Sequence, residues 1–453
     1  MADKVAGTTG SARLSLTERL SYGFGDFGYS LAYNMAGAFL LFYYTNFAML
    51  PAAAVGTIFL AARLLDAVVD ILVGIAVDKT RTRWGRTRPY FLFTAIPYAI
   101  VLVLVFSVPD WSENAKLIYA FLTFKALGIL MSLGSIPYTA LMPMMTADTD
   151  QRLKLGGMRS IGTSVSVILG TAATMPLVGL FGGGDQQRGF QATAILFAGL
   201  SLIALFMLFR NCQERVEDGA SPRFAVLPAI GEMLRNRAWL ICFAFTLLYF
   251  VRFGTMISLT AFFAIDVLGH PWMISILLPA ISGTLLIAAF IAPPILSRTG
   301  IRKGCLAAIA LAVALFALLP LAERNPWLFL ALYITASVAT SVTITGIFTM
   351  AAESVDYHEA LFGTRNEGLL SSGISLATKI GMAVGTAAIA YSLAAAGYVP
   401  SAVSDGARET IRWSYYGWPI ALLALQAIVV LGWPMDGERE RILAEIQARR
   451  AAA

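Results

Sequence analysis

The chain has 453 residues, of which 58% are hydrophobic and 13% are charged, and its mean hydropathy is +0.73. A soluble domain carries roughly 25% charged residues, so this composition excludes an ordinary water-soluble fold. The formal net charge of +6 then reflects loops beside a membrane and does not indicate a nucleic-acid binder.

Apolar segments recur along almost the whole chain, and each is long enough to cross a hydrocarbon core of about 30 Å as a helix. Lipid offers the backbone no hydrogen-bond partners and the alternating pattern of barrel strands is absent, so these segments predict helices. The predicted spans are 20–47, 53–78, 89–108, 115–143, 157–181, 189–210, 238–267, 272–297, 303–322, 326–352, 367–397 and 412–434. We expect an all-α membrane protein of about twelve transmembrane helices.

Basic residues concentrate after predicted spans two, four and eight, between spans six and seven, and in the C-terminal tail. The positive-inside rule therefore places both termini in the cytoplasm. The longest polar interruption falls near the midpoint and predicts a linker between two six-helix halves. The predicted domains are a cytoplasmic tail at 1–18, halves at 19–210 and 238–435, a cytoplasmic linker at 211–237 and a cytoplasmic tail at 436–453.

The two predicted halves echo each other in their loops. An arginine follows an aspartate by nine residues after span four, from Asp150 to Arg159, and after span ten, from Asp356 to Arg365. Repeats related by an axis along the membrane normal fit the major facilitator arrangement. Chance similarity between loops is the alternative.

Ionisable residues inside spans cost at least about 2.5 kcal/mol each, so they indicate function. In span two, Arg63, Asp66 and Asp70 are spaced three and four apart, which stacks them on one helix face. Two carboxylates beside a cation can bind Na⁺ through oxygen ligands, or can share a proton because like charges raise one pKa. A static Arg–Asp bridge is the alternative.

Four further charges lie within predicted spans: Asp26, Lys125, Arg252 and Lys379. Because they come from four helices, they can converge only around a shared central cavity. Lys379 has no acid nearby in sequence, so we expect its partner to be Asp66 or Asp70. For Lys125 and Arg252 the alternative is snorkelling or bracing of a helix pair.

No cofactor is expected. The three cysteines, Cys212, Cys242 and Cys305, lack metal-ligand spacing. The two histidines, His270 and His358, are too few to suggest a haem or zinc site. The glycine-rich stretches are not followed by the GK[ST] of a phosphate loop. No nucleophile, base or metal set is visible, so the chain is not predicted to be an enzyme.

Several stretches carry a family resemblance: LSYGFGDFGYSLAYN, ARLLDAVVDILVGIAVDKTRTRWGRTRPY, SIPYTALMP, and SVDYHEALFGTRNEG followed by Lys379. From about residue 20 to 400 the chain resembles the glycoside–pentoside–hexuronide:cation symporters. The resemblance implies a monomeric, multi-pass protein of the bacterial inner membrane whose partners are a monovalent cation, a small-molecule solute and the lipid bilayer. It implies a cation site at Asp66, Asp70, Ser132 and Lys379, with Na⁺ or H⁺ at the two aspartates. The charged residues that it assigns to a cytoplasmic gate are Asp78, Arg83, Arg86, Arg152, Arg298, Asp356, Glu359 and Arg365.

The departures from the family pattern concern the ion and the solute. Val69 and Ile71 stand where melibiose permease-like members have Asn and Pro, which removes a neutral oxygen ligand for Na⁺ and makes proton coupling at least as well supported. Ser30 and Ser135 replace solute-gripping carboxylates, and Thr139 and Ile344 replace aromatic residues. Arg159 matches the substrate-side arginine with a shift of one residue. The expected solute-binding residues are Asp26, Ser30, Arg63, Lys125, Ser135, Thr139, Arg159, Arg252 and Ser375.

Losing two acids while keeping several cations leaves the expected cavity positive, which favours an anionic solute such as a uronide. The leading interpretation is a cation-coupled symporter that imports a glycoside or uronide by alternating access. The alternative is a facilitator or exporter of amphipathic or lipid-like compounds. A non-transporting receptor or an enzyme is a third interpretation.

Overall fold

The computed structural model describes residues 14–146, 148–215, 226–363, 367–400, 402–436 and 441–442. Within these ranges the regular structure is helical apart from one isolated bridge, between Thr82 and Gly85. This confirms the predicted all-α class.

The helices follow the predicted spans closely. In chain order they are α1 Leu16–Asn46, α2 Ala52–Lys79, α3 Arg88–Val105, α4 Glu113–Met145, α5 Thr149–Ile168, α6 Thr174–Gly182, α7 Gln186–Asn211, α8 Val226–Arg235, α9 Arg237–Phe262, α10 Ile274–Thr299, α11 Ile301–Ala322, α12 Pro326–Phe362, α13 Glu367–Ala395 and α14 Asp405–Leu431. A π-helical turn, Leu169–Ala173, joins α5 to α6, and another, Phe263–Val267, extends α9.

In the described part of the chain, nine helices are long and apolar enough to cross a membrane. The count of about twelve spans and the cytoplasmic position of both termini remain predictions. The predicted linker contains α8, which the sequence pattern did not identify. Met233 of α8 packs against a cluster formed by Trp239, Val355 and Leu370.

The contacts divide the described residues into two units. The first unit draws on Met1–Ala36 and Leu65–Pro222, and the second on Gly37–Leu64 and Arg223–Ala453. In the first unit α3 packs on α4 and α7, and in the second α9 packs on α13 and α14. The predicted division into halves at 211–237 stays a prediction.

Glycines bring α1 and α5 of the first unit into backbone contact. A Cβ added at Gly162 would lie 2.1 Å from the carbonyl oxygen of Gly23, and one added at Gly170, in the π-helical turn after α5, would lie 2.9 Å from the Cβ of Asn34. Small residues allow this close approach, as they do in membrane helix pairs generally. The crossing places the polar side chains of both helices within hydrogen-bonding distance.

Candidate functional site

A lysine and a serine of α4 contact the two aspartates of α2. The Nζ atom of Lys125 lies 2.5 Å from Oδ1 of Asp66, and the hydroxyl of Ser132 donates to Oδ1 of Asp70 at 2.6 Å. Asp66 precedes Asp70 on α2, and their partners follow the same order on α4. The two helices therefore run parallel here. We call Asp66, Asp70, Lys125 and Ser132 the α2–α4 site.

The α2–α4 site is enclosed. The side chains of Asp66 and Lys125 are 7% and 12% exposed. Gly128, one turn beyond Lys125, makes room for the carboxylate, because a Cβ there would lie 2.9 Å from Oδ1 of Asp66. The contribution of such a buried ion pair to stability depends on its geometry, because desolvation of both charges is unfavourable.

Lys125 is a basic partner of Asp66, although we expected it among the solute-binding residues. Arg63 lies one helical turn before Asp66 on α2, as its spacing predicts, and it is partly buried. Lys379 is partly buried on α13 in the second unit. Its association with Asp66 and Asp70 remains a prediction.

A second charged cluster forms where α1 crosses α5. The carboxylate of Asp26 accepts hydrogen bonds from Nε of Arg159 at 3.2 Å, from the hydroxyl of Ser30 at 3.3 Å and from the hydroxyl of Thr163. The guanidinium of Arg159 also lies 5.1 Å from the ring centre of Tyr138, within range of a cation–π contact. We call Asp26, Ser30, Arg159 and Thr163 the α1–α5 cluster.

The α1–α5 cluster restores an acid beside Ser30. Ser30 replaces a carboxylate of the family pattern, but its hydroxyl donates to Asp26, which lies one helical turn away. The sequence pattern did not identify Thr163, although its spacing of four from Arg159 would have placed both on one face of α5. The side chain of Arg159 is 36% exposed, whereas that of Asp26 is 13% exposed. The cluster is therefore open on its arginine side.

Three other expected solute-binding residues, Thr139, Ser375 and Arg252, have their described contacts within their own helices. The hydroxyls of Thr139 and Ser375 donate to carbonyl oxygens of their own helices, at Ser135 and Ser371. Arg252 is only 4% exposed and lies 5.0 Å from the ring centre of Tyr249. The Nε atom of Arg252 is buried without a hydrogen-bond partner among the described residues.

The expected gate residues are distributed over both units. The guanidinium of Arg83 lies over the ring of Trp84 at 4.3 Å, and Nε of Arg152 donates to the carbonyl of Thr146 at 2.9 Å. Arg298 is exposed, and Asp356 and Glu359 are partly buried on α12. The side chain of Asp78 and the whole of Arg365 lie outside the described residues. The gate assignment stays a prediction.

An acid anchors the basic loop that precedes α3. The backbone N–H groups of Arg86 and Thr87 donate to the carboxylate of Glu214, at 2.9 Å and 2.7 Å. Burial opposes ionisation of Glu214, but these N–H groups and the Thr87 hydroxyl favour it, so its pKa falls below the usual value. The second unit has a similar arrangement, since Asp436 accepts from the N–H groups of Ile301 and Arg302 at the start of α11.

A family model described as MFS/sugar transport protein matches residues 21–437. The chain belongs to this family. The match covers the α1–α5 cluster, the α2–α4 site and most of both units. It confirms the family resemblance and the major facilitator fold class, and it makes the chain a transporter and not an enzyme. The chain is a multi-pass protein of the bacterial inner membrane.

Named relatives include sugar transporters of bacteria. An isoprimeverose transporter of Lactiplantibacillus pentosus is 33% identical over 448 residues, which cover 96% of this chain and 92% of that protein. A glucuronide carrier protein homolog of Escherichia coli K12 is 30% identical over 447 residues, which cover 97% of each chain.

The crystal structure of the nucleoside transporter NupG has the same fold. It superposes with a TM-score of 0.66 at 14% identity, covering 92% of this chain and 98% of that one. The low identity limits this likeness to the fold.

Proposed function

We propose that this secondary transporter is a cation-coupled symporter, which imports a small glycoside or uronide with H⁺ or Na⁺ by alternating access. The α2–α4 site carries the proposal. Two carboxylates one turn apart lie within the span predicted at 53–78, where each is costly unless it has a role. A basic group contacts one carboxylate and a hydroxyl donates to the other, and carboxylate oxygens are groups that can take up a hard cation or a proton.

The α1–α5 cluster is the proposed solute site of the first unit. Sugar hydroxyls both donate and accept hydrogen bonds, and this cluster offers a carboxylate, two hydroxyls and a partly exposed arginine side chain. Arginine also recognises carboxylates in a forked geometry, which suits a uronide. The names of the two relatives, one for isoprimeverose and one for glucuronide, agree with a neutral or an acidic glycoside.

The structure changes the reason for considering an anionic solute. Of the cations counted as positive excess (Arg63, Lys125, Arg252 and Lys379), Lys125 contacts an acid, Asp66. Lys125 therefore no longer counts toward a positive cavity, and support for a uronide comes from Arg159, whose side chain is partly exposed. Competition by methyl β-glucuronide and by neutral isoprimeverose would separate the two solute classes.

The coupling is tested in proteoliposomes that contain the full chain. Uptake of radiolabelled glycosides is measured with an imposed proton gradient, an imposed sodium gradient or neither. We expect accumulation above the external concentration with one of the two gradients, and the same accumulation in an Asp110→Asn control, since Asp110 lies in the exposed loop before α4. Downhill flux that ignores both gradients would instead indicate the facilitator alternative.

A further inference from the structure

Lys125 is a fixed positive charge on one of the two carboxylates proposed to bind the coupling cation. We propose that its ammonium takes the place of a monovalent metal cation on Asp66, so that the carboxylate pair does not bind Na⁺. This inference rests on the proposed function, because it specifies which cation the α2–α4 site rejects. It makes Lys125 a specificity-determining residue and not a solute-binding one.

The geometry of the contact supports this role. The ammonium lies 2.5 Å from Oδ1 of Asp66, and both side chains are almost fully buried. Oδ1 of Asp70 already accepts from the Ser132 hydroxyl at 2.6 Å. A hard cation requires several oxygen ligands at short distances. One oxygen of each carboxylate is thus engaged by a donor from α4.

The charges of the α2–α4 site also oppose Na⁺ binding. Asp66 and Asp70 carry two negative charges when ionised, and Lys125 supplies one positive charge at contact distance. A sodium ion on Asp66 would lie beside the ammonium, and like charges repel more strongly in a buried site than in water. Val69, between the two aspartates, contributes no side-chain oxygen that would help to hold Na⁺.

The surrounding chain is shaped to keep the lysine on Asp66. Gly128 lies on the same face of α4 as Lys125, and the absence of a Cβ there leaves space for the carboxylate that the lysine contacts. A lysine that merely snorkelled would carry its ammonium to the membrane surface. The ammonium of Lys125 instead contacts an acid on the neighbouring helix, and the lysine side chain is 12% exposed.

The test is a Na⁺ titration of the purified full-length protein, with thermal unfolding measured in NaCl and in choline chloride at equal ionic strength. We expect no Na⁺-specific stabilisation of the wild type. Lys125→Met is expected to gain it, with apparent Na⁺ affinity at least about tenfold higher, equivalent to about 1.4 kcal/mol. Lys116→Met is the matched control, because Lys116 lies on the same helix but pairs with the exposed Asp110.

Two results would overturn the proposal. One is a Na⁺-specific stabilisation of the wild type that Asp66→Asn removes. The other is a folded Lys125→Met protein that responds equally to NaCl and choline chloride. A Na⁺-specific stabilisation of the wild type overturns the proposal even if Lys125→Met does not fold, and Lys125→Gln is then the uncharged variant for the titration. Lys125→Arg, which keeps the charge, is expected to behave like the wild type.

Uptake by the wild type separates failure of this inference from failure of the proposed function. Accumulation driven by a sodium gradient would support cation coupling but overturn the role of Lys125. If neither a proton nor a sodium gradient drives accumulation, the coupling proposal fails, and the Na⁺ titration still decides whether Lys125 excludes sodium.

Discussion

Two ion pairs of the first unit differ in their burial and in the hydrogen-bond partners of their acids. In the α2–α4 site, Lys125 and Asp66 are almost fully buried, with side-chain exposures of 12% and 7%. In the α1–α5 cluster, Asp26 is shielded but Arg159 is 36% exposed, and two hydroxyls share the carboxylate. The buried pair is suited to fix a charge inside the protein, whereas the open pair can present its arginine to a solute.

The largest expected effect is on stability and distinguishes the two pairs directly. Lys125→Met leaves Asp66 buried without its ammonium, which we expect to cost about 3–5 kcal/mol of unfolding free energy. Arg159→Met should cost about 1–2 kcal/mol, because Ser30 and Thr163 still donate to Asp26. Thermal unfolding of both variants in choline chloride measures the difference. Equal losses of unfolding free energy in the two variants would contradict the distinction between a buried and an open pair.

A smaller effect is expected from filling the space beside Asp66. Gly128→Ala adds a methyl group 2.9 Å from Oδ1 of the carboxylate, so we expect a loss of about 1–3 kcal/mol from overpacking. Gly199→Ala on α7 is the control, since a Cβ there meets nothing within 4 Å. If both alanines are tolerated equally in unfolding experiments, the carboxylate is not held as tightly as the geometry indicates.

The open pair is expected to govern solute uptake. Arg159→Lys keeps the charge but loses the planar fork, so we expect transport at low solute concentration to fall by about tenfold, or about 1.4 kcal/mol. Initial uptake rates measure this loss, with Arg188→Lys as the control because Arg188 is 81% exposed beside Asp185. An unchanged rate for Arg159→Lys would remove the arginine from the solute site.

The smallest expected effect concerns Glu214, an acid outside the membrane whose carboxylate accepts hydrogen bonds from backbone and hydroxyl groups of the described residues. Its pKa is lower in the folded state, so its contribution to stability is present at neutral pH and is lost as the pH falls through the folded-state value. Glu214→Gln should therefore be less stable than the wild type at pH 7, with the difference shrinking below pH 4.5, the usual glutamate value. Glu113→Gln in an exposed first turn should show no such trend.

The sequence allowed some of these features to be predicted because their spacing is local. Asp66 and Asp70 fall four apart, so their shared face on α2 follows from helix geometry alone. The pairing of Lys125 with Asp66 could not be predicted, since it depends on the register between α2 and α4. Lys125 and Ser132 are seven apart on α4, which is the one local signal of their common face.

The α1–α5 cluster shows the same limit. The resemblance identified Arg159, but its contact with Asp26 depends on the close crossing that Gly23 and Gly162 permit. The π-helical turns at Leu169–Ala173 and Phe263–Val267 also could not be predicted from periodicity, because an inserted residue only rotates the helix face, and a segment that is apolar on nearly every side does not reveal the rotation. Local pattern thus predicted the helices, whereas tertiary contacts determine the partners.

Cation coupling through the α2–α4 site is tested most directly by Asp70→Asn in proteoliposomes, with accumulation and solute exchange measured on the same preparation. Exchange at equal concentrations requires a solute site but no ion gradient, so the variant should keep exchange and lose gradient-driven accumulation. Asp110→Asn should keep both. Accumulation by Asp70→Asn at the wild-type level would contradict the assignment of coupling to this carboxylate.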